Sequence, residues 1–106
     1  MKKIFIASDH GGFNLKMTIL KYLNKNYSIK DLGPNQNKKS VDYPDFAHKL
    51  CKRVAKNKNH VGILVCGSGV GMSIAANKNK GIRAALCYSV KNAKLSRLHN
   101  DANVIT

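Results

Sequence analysis

Residues 61–71 read Val61-Gly62-Ile63-Leu64-Val65-Cys66-Gly67-Ser68-Gly69-Val70-Gly71. The first five form a near-continuous apolar run, the pattern of a strand buried on both faces. A glycine turn follows, and a helix is predicted to start near Val70. In an open parallel sheet, the turn after such a strand borders the ligand crevice. Cys66 is the last residue before that turn, facing the unsatisfied N–H groups of a helix N-terminus, which bind anions. Two readings stay open on the residues alone. Cys66 is either a small buried hydrophobe or a reactive thiol beside an anion cradle.

Outward from this junction the chain alternates strand and helix patterns. Ile4-Phe5-Ile6-Ala7 is a short apolar run that stops at Ser8-Asp9-His10-Gly11-Gly12. A helix follows, with Leu15, Ile19 and Leu23 at a spacing of four as its apolar line and Lys16 and Lys21 off it. Tyr27 to Leu32 is a second strand, and residues 35–42 a polar loop. Pro44 suits the first turn of a helix, which carries Phe46/Ala47, Leu50/Cys51 and Val54/Ala55 as paired apolar positions. After the third strand and its helix, Gly81 is a break and Ile82 to Cys87 a fourth strand. A weaker helix over about Val90 to Leu98 precedes a fifth strand beginning at Asn103-Val104-Ile105. Strict alternation predicts one α/β domain over residues 1–106, a doubly wound, Rossmann-like parallel sheet in three αβα layers. The expected strand order is 2-1-3-4-5, with the last covering helix missing and one sheet face either partly bare or covered by another chain.

Composition narrows the function classes. At 106 residues and 43% hydrophobic, the chain supports one core. No run of 18 apolar residues exists, so no membrane helix is expected. The apolar part of the N-terminus is too short for a signal peptide, and a cytoplasmic protein is expected. Cys51, Cys66 and Cys87 are widely spaced and odd in number, which disfavours a disulfide framework or a zinc site. Nineteen Lys and Arg against five Asp and no Glu give a net charge of +14. Sixteen of the nineteen are Lys, scattered among Asn. That distribution describes solvated faces better than a nucleic-acid surface, although the field attracts anionic substrates. No nucleic-acid partner is expected.

Several positions carry candidate chemistry. The Gly67–Gly71 loop lacks the Lys-Ser/Thr pair of a Walker loop, and Met72 stands where a dinucleotide fingerprint needs its third glycine. No acid occurs between Asp45 and Asp101 to hold a ribose. A small anion, an enediolate or a phosphate, is what remains. Asp9 and His10 end the first strand, which neighbours the third in the expected order, so Asp9, His10 and Cys66 share one cleft. Asp9 also reads as a plain cap for the next helix. Cys51 is assigned to the core, Cys87 is assigned a structural role, and His48 and His60 are placed on the surface. His99-Asn100-Asp101 ends a helix, where a histidine is ordinarily solvated or capping.

Six segments together resemble the ribose-5-phosphate isomerase B family, which includes the galactose-6-phosphate isomerase subunits. They are Ser8-Asp9-His10-Gly11-Gly12-Phe13, Asp42-Tyr43-Pro44, Cys66-Gly67-Ser68-Gly69-Val70-Gly71, Ile74-Ala75-Ala76-Asn77-Lys78, Gly81-Ile82-Arg83-Ala84 and His99-Asn100-Asp101-Ala102-Asn103-Val104. The resemblance implies an aldose–ketose isomerase of the pentose phosphate pathway, interconverting ribose 5-phosphate and ribulose 5-phosphate through a cis-enediolate without metal or cofactor. It implies Cys66 as the base, and Ser68 with the N–H groups of Gly67, Gly69 and Gly71 as the enediolate cradle. Asp9 and Tyr43 would hold sugar hydroxyls and His10 the phosphate. His99 would assist ring opening beside Asn100, both reaching across from a partner in a homodimer or dimer of dimers.

The resemblance also implies a longer family chain. Family members continue past position 106 into a further helix that supplies phosphate-binding arginines, for which Arg83 and Arg97 are not counterparts. The expectation is a C-terminally shortened form, weak or inactive unless these 106 residues are a fragment of a longer chain. A galactose-6-phosphate isomerase subunit and a non-catalytic sugar-phosphate binder are the alternatives.

Overall fold

The computed structural model describes residues 2–106. Five strands and four helices alternate as β1 (Lys3–Ser8), α1 (Phe13–Leu23), β2 (Ser28–Asp31), α2 (Tyr43–Val54), β3 (His60–Val65), α3 (Val70–Asn77), β4 (Ala84–Ala85), α4 (Val90–Asn100) and β5 (Val104–Ile105). All strand pairings are parallel. The doubly wound, Rossmann-like expectation holds. Its fourth strand is shorter than expected, two residues rather than six, and α4 runs on through His99 and Asn100.

The strand order is β2-β1-β3-β5-β4, not 2-1-3-4-5. The last two strands exchange places because only one of them can fill a central position. Val104 of β5 is 1% exposed and packs over Gly62, where an added Cβ would lie 3.3 Å from Val104 Cγ2 and 2.5 Å from Leu50 Cδ2. β4 offers only Ala84 and Ala85, and it takes the edge. There Asn77 satisfies the backbone of Ala84 in place of a neighbouring strand. Its Nδ2 donates to the Ala84 carbonyl at 2.9 Å and its Oδ1 accepts from the Ala84 N–H at 2.8 Å.

Helices α2 and α3 cover one face. Their buried side chains (Ala47, Leu50, Cys51, Val54, Met72, Ala75 and Ala76) close on Phe5, Ala7, Leu64 and Val104. Helix α1 lies on the other face, and the returning right-handed β4–α4–β5 crossover puts α4 on that same face. Between α1 and α4 the sheet is incompletely covered: Val61, Ile63 and Ile105 are only half-buried and line two cavities of about 250 and 280 Å³.

The expected core line of α1 is overturned. Leu15 is 56% exposed and Lys16 is completely buried. Leu15 and Ile19 border the smaller open cavity. Lys16 instead turns toward the end of β2, where its charge is neutralised by Asp31 2.8 Å away.

Candidate active site

All five strands point their C-terminal ends to one edge of the sheet, and the chemistry-bearing residues of three segments collect there. The register pairs Ser8 of β1 with Val65 of β3. One residue further, the Asp9 N–H donates to the Val65 carbonyl at 3.1 Å, so Asp9 is tied to the residue before Cys66. Asp9 Oδ1 accepts the Gly12 N–H at 2.8 Å, and to that extent it is the cap that the sequence allowed. Its second oxygen has no hydrogen bond within the protein among the described residues. Gly12 allows this closeness: a Cβ there would sit 2.4 Å from the Val65 carbonyl oxygen.

Cys66 is partly buried, packed against the core from the sheet edge. The Gly69 N–H donates to its sulfur at 3.1 Å, so Sγ is held as an acceptor at the start of α3. Gly69 adopts φ +80°, a left-handed conformation that side chains seldom take, to turn the chain into the helix. Its carbonyl accepts from the Thr106 hydroxyl at 3.0 Å, which anchors the loop to the end of β5. Ser68 is exposed, and its Oγ accepts the Val70 N–H at 3.2 Å. Gly67 is open on its Cα side, with nothing within 4 Å of an added Cβ. Sulfur, hydroxyl and helix N-terminus thus share one small concavity where negative charge is stabilised.

Tyr43 and His10 are brought to the same edge. Tyr43 opens α2, with its ring over the first turn of α3. A Cβ on Gly71 would come within 2.9 Å of the Tyr43 ring carbons. His10 is exposed, and its Nδ1 accepts the Val41 N–H at 3.2 Å. That acceptance places the ring proton on Nε2, the nitrogen left for a ligand.

His99 and Asn100 are not brought together with Cys66. Helix α4 runs back from the cradle edge, and ten residues of helix span about 15 Å. Both residues lie in its last turn, exposed, at the opposite edge of the sheet. The Asn100 carbonyl is held there by Arg83 Nε at 2.7 Å, just before β4 begins. Within one chain the two groups are separated from the thiol by the length of the sheet.

Cys51, Cys87, His48 and His60 each have contacts within the fold. Cys51 is fully buried in α2, and burial pushes its thiol up to about 11. Cys87 sits half-buried after β4 with Sγ 3.5 Å from the Ala85 carbonyl. His48 and His60, expected on the surface, are half-buried. His48 Nδ1 meets the Asn79 amide, and His60 Nδ1 meets the Arg53 carbonyl at 2.7 Å, with the ring edge-on to Phe5. No group of three or more His, Cys, Asp or Glu side chains that could hold a metal ion occurs among the described residues. No described helix is long and apolar enough to cross a membrane.

Sequence reading missed Gly12, Lys16 and Thr106. Gly12 carried a usable signal, as the second glycine of a pair directly after a strand end. Lys16 and Thr106 carried none, because what they do depends on which segments the fold brings beside them.

The Ribose/Galactose Isomerase family model matches residues 4–106. The probable ribose-5-phosphate isomerase B of Mycoplasma genitalium is 51% identical over 104 residues, covering 96% of this chain and 68% of that protein. Ribose-5-phosphate isomerase B of Escherichia coli K12 is 45% identical over 106 residues, covering 99% and 70%. Among solved structures, ribose-5-phosphate isomerase B of Clostridium thermocellum superposes with a TM-score of 0.93 at 51% identity, over 97% of this chain and 70% of that one. The M. genitalium enzyme with bound ribulose-5-phosphate gives 0.92 at 50% identity, over 97% and 69%. Sequence, fold and the arrangement at the sheet edge agree: the chain belongs to the ribose/galactose isomerase family, on its ribose-5-phosphate isomerase B side.

Proposed function

We propose that this protein interconverts ribose 5-phosphate and ribulose 5-phosphate, with Cys66 as the base. The observation that carries the reading is the Cys66 sulfur at the N-terminus of α3, accepting from Gly69 3.1 Å away inside a glycine loop. From aldose to ketose, the thiolate removes the proton on C2 of the open-chain sugar. The electron pair forms the C1–C2 double bond of a cis-enediolate, and negative charge moves onto the C1 oxygen. The Cys66 thiol returns the same proton to C1, while the C2 hydroxyl passes its proton to the C1 oxygen and becomes the ketone. Charge develops on oxygen beside the free N–H groups of the loop and the Ser68 hydroxyl, where preorganised donors lower the barrier most. The unpaired Asp9 oxygen and the Tyr43 hydroxyl suit the sugar hydroxyls, and His10 Nε2–H suits the phosphate. The related M. genitalium structure, named for its bound ribulose-5-phosphate, favours the five-carbon substrate.

His99 and Asn100 enter this reading from a second copy of the chain. They lie at the wrong edge for their own Cys66, and a two-fold arrangement supplies each site from its partner. His99 would then assist opening of the furanose ring, with Asn100 beside it.

The test is an isomerisation assay on wild type and Cys66→Ala, with ribose 5-phosphate and galactose 6-phosphate offered separately. The expected result is turnover of the pentose phosphate, lost by at least about 100-fold in the variant, the lower range for a positioned acid or base. Equal residual rates would remove Cys66 from the mechanism. Binding of ribose 5-phosphate without turnover in wild type would leave a sugar-phosphate binder. Mixing inactive Cys66→Ala and His99→Ala proteins should restore about one quarter of the wild-type rate through hybrid dimers with one intact site. No recovery would place His99 outside the partner's site.

A further inference from the structure

We propose that Lys16 is a positioning residue for Asp9, acting through a closed circuit of hydrogen bonds that turns one carboxylate oxygen toward the substrate. The inference rests on the isomerase reading above. Lys16 is 0% exposed, and its ammonium donates to Asp31 Oδ1 at 2.8 Å, Asp31 Oδ2 at 2.9 Å and the Pro34 carbonyl at 2.5 Å. It also lies 5.0 Å from the centroid of the Phe13 ring. All three ammonium hydrogens are used. Taking such a cation out of water is costly, and an apolar side chain of similar volume would fill the space without that penalty. What the charge supplies is geometry.

The circuit runs from side chain to backbone and returns. Asp31 Oδ1, held by Lys16, accepts the Gly33 N–H at 2.8 Å. The Gly33 carbonyl accepts the Ser8 N–H at 3.1 Å, which fixes the end of β1. Asp9 follows, its Oδ1 accepting the Gly12 N–H at 2.8 Å. The Gly12 carbonyl accepts the backbone N–H of Lys16 itself at 2.9 Å, which closes the ring. Asp9 Oδ1 is therefore committed, and Oδ2 is the oxygen presented at the Cys66 edge. Cutting the circuit at the ammonium releases the 31–34 turn and, through Gly33 and Ser8, the torsions that aim Oδ2. The Asp31 side chain is 30% exposed, so water can solvate it when Lys16 is neutralised and the fold survives.

The experiment is a double-mutant cycle on the full chain with ribose 5-phosphate, using K16M, D9N and K16M/D9N. K16M is expected to raise KM about tenfold, the scale of one hydrogen bond to a charged group, with kcat changed less than about threefold. The double variant is expected to match D9N, because a group acting through Asp9 has nothing left to aim. Additive losses would make Lys16 merely structural and overturn the proposal. Should K16M fail to fold, K16R enters the same cycle, since a guanidinium can fork onto both Asp31 oxygens. It is expected to keep KM within about threefold of wild type, and a K16R loss that adds to that of D9N would likewise overturn the proposal. Amide exchange gives a readout free of substrate: Gly12 should exchange about tenfold faster in K16M or, failing that, measurably faster in D31N, with α2 unchanged. If wild type shows no turnover, the isomerase reading alone fails. Exchange then decides the circuit, and an unchanged Gly12 rate sinks it.

Discussion

Replacing Gly12 with alanine isolates one physical effect at the site. Gly12 has φ −92° and ψ 1°, a conformation open to alanine, so backbone strain does not enter. The new methyl group would lie 2.4 Å from the Val65 carbonyl oxygen, 2.7 Å from its carbon and 2.8 Å from Val65 Cγ1. Two of these neighbours are backbone, and the corner must retreat by more than half an ångström. Overpacking of this kind costs about 1–3 kcal/mol. The retreat also pulls on the 3.1 Å bond from the Asp9 N–H to the same carbonyl, worth about 1 kcal/mol. The sum of about 2–4 kcal/mol lowers Tm by roughly 10–25 °C in a domain of this size. Turnover should fall further than stability implies, because a 1 Å misplacement at a reacting group costs up to about 100-fold. The neighbouring Gly11→Ala is the control. Its methyl group meets only Asp9 Oδ1, at 3.5 Å, an ordinary contact. Thermal melts and isomerisation rates measured on both variants decide the matter. If Gly12→Ala melts within about 2 °C of Gly11→Ala, the close approach of α1 to β3 is not what holds the Asp9 corner.

Two further outcomes follow from the packing. Gly71→Ala puts a methyl group 2.9 Å from the Tyr43 ring, which can swing away because Tyr43 is 40% exposed. Stability should change by less than about 1 kcal/mol while KM rises several-fold, and an unchanged KM would remove Tyr43 from substrate binding. The Cys51 thiol, raised from 9.0 to about 11 by burial, stays protonated in the folded state when the unfolded chain has already ionised. Its contribution is fully present below about pH 9 and is lost by about pH 11, a fall of about 2–3 kcal/mol. Denaturant melts across that window should show the slope in wild type and a shallower one in Cys51→Ala; equal slopes would refute it.

The legible parts of this molecule were those whose signal is local. The β3–Gly67–α3 junction is an apolar run, a glycine turn and a helix within 17 residues, so Cys66 could be placed at a strand end facing a helix N-terminus without any other part of the chain. Asp9 and His10 were placed the same way, from the stop of the β1 run. Tyr43 depended on the resemblance alone, since a tyrosine before Pro44 carries no chemical signal until its ring is found over Gly71.

The sequence by itself determined the alternation of elements, the parallel sheet and the edge at which the thiol, Asp9 and His10 meet, because periodicity and turn residues act over a few positions. Tertiary structure alone decided that β5 lies inside β4, since that choice compares how Val104 and two alanines fill a space made by Gly62, Leu50 and Val54. It also decided that Lys16 is buried and Leu15 exposed. The helix pattern records which side chains are apolar. It does not record that an aspartate from β2 waits under one side of α1 and a half-covered sheet under the other. The same holds for His99, whose distance from Cys66 is the length of a helix folded back along the sheet.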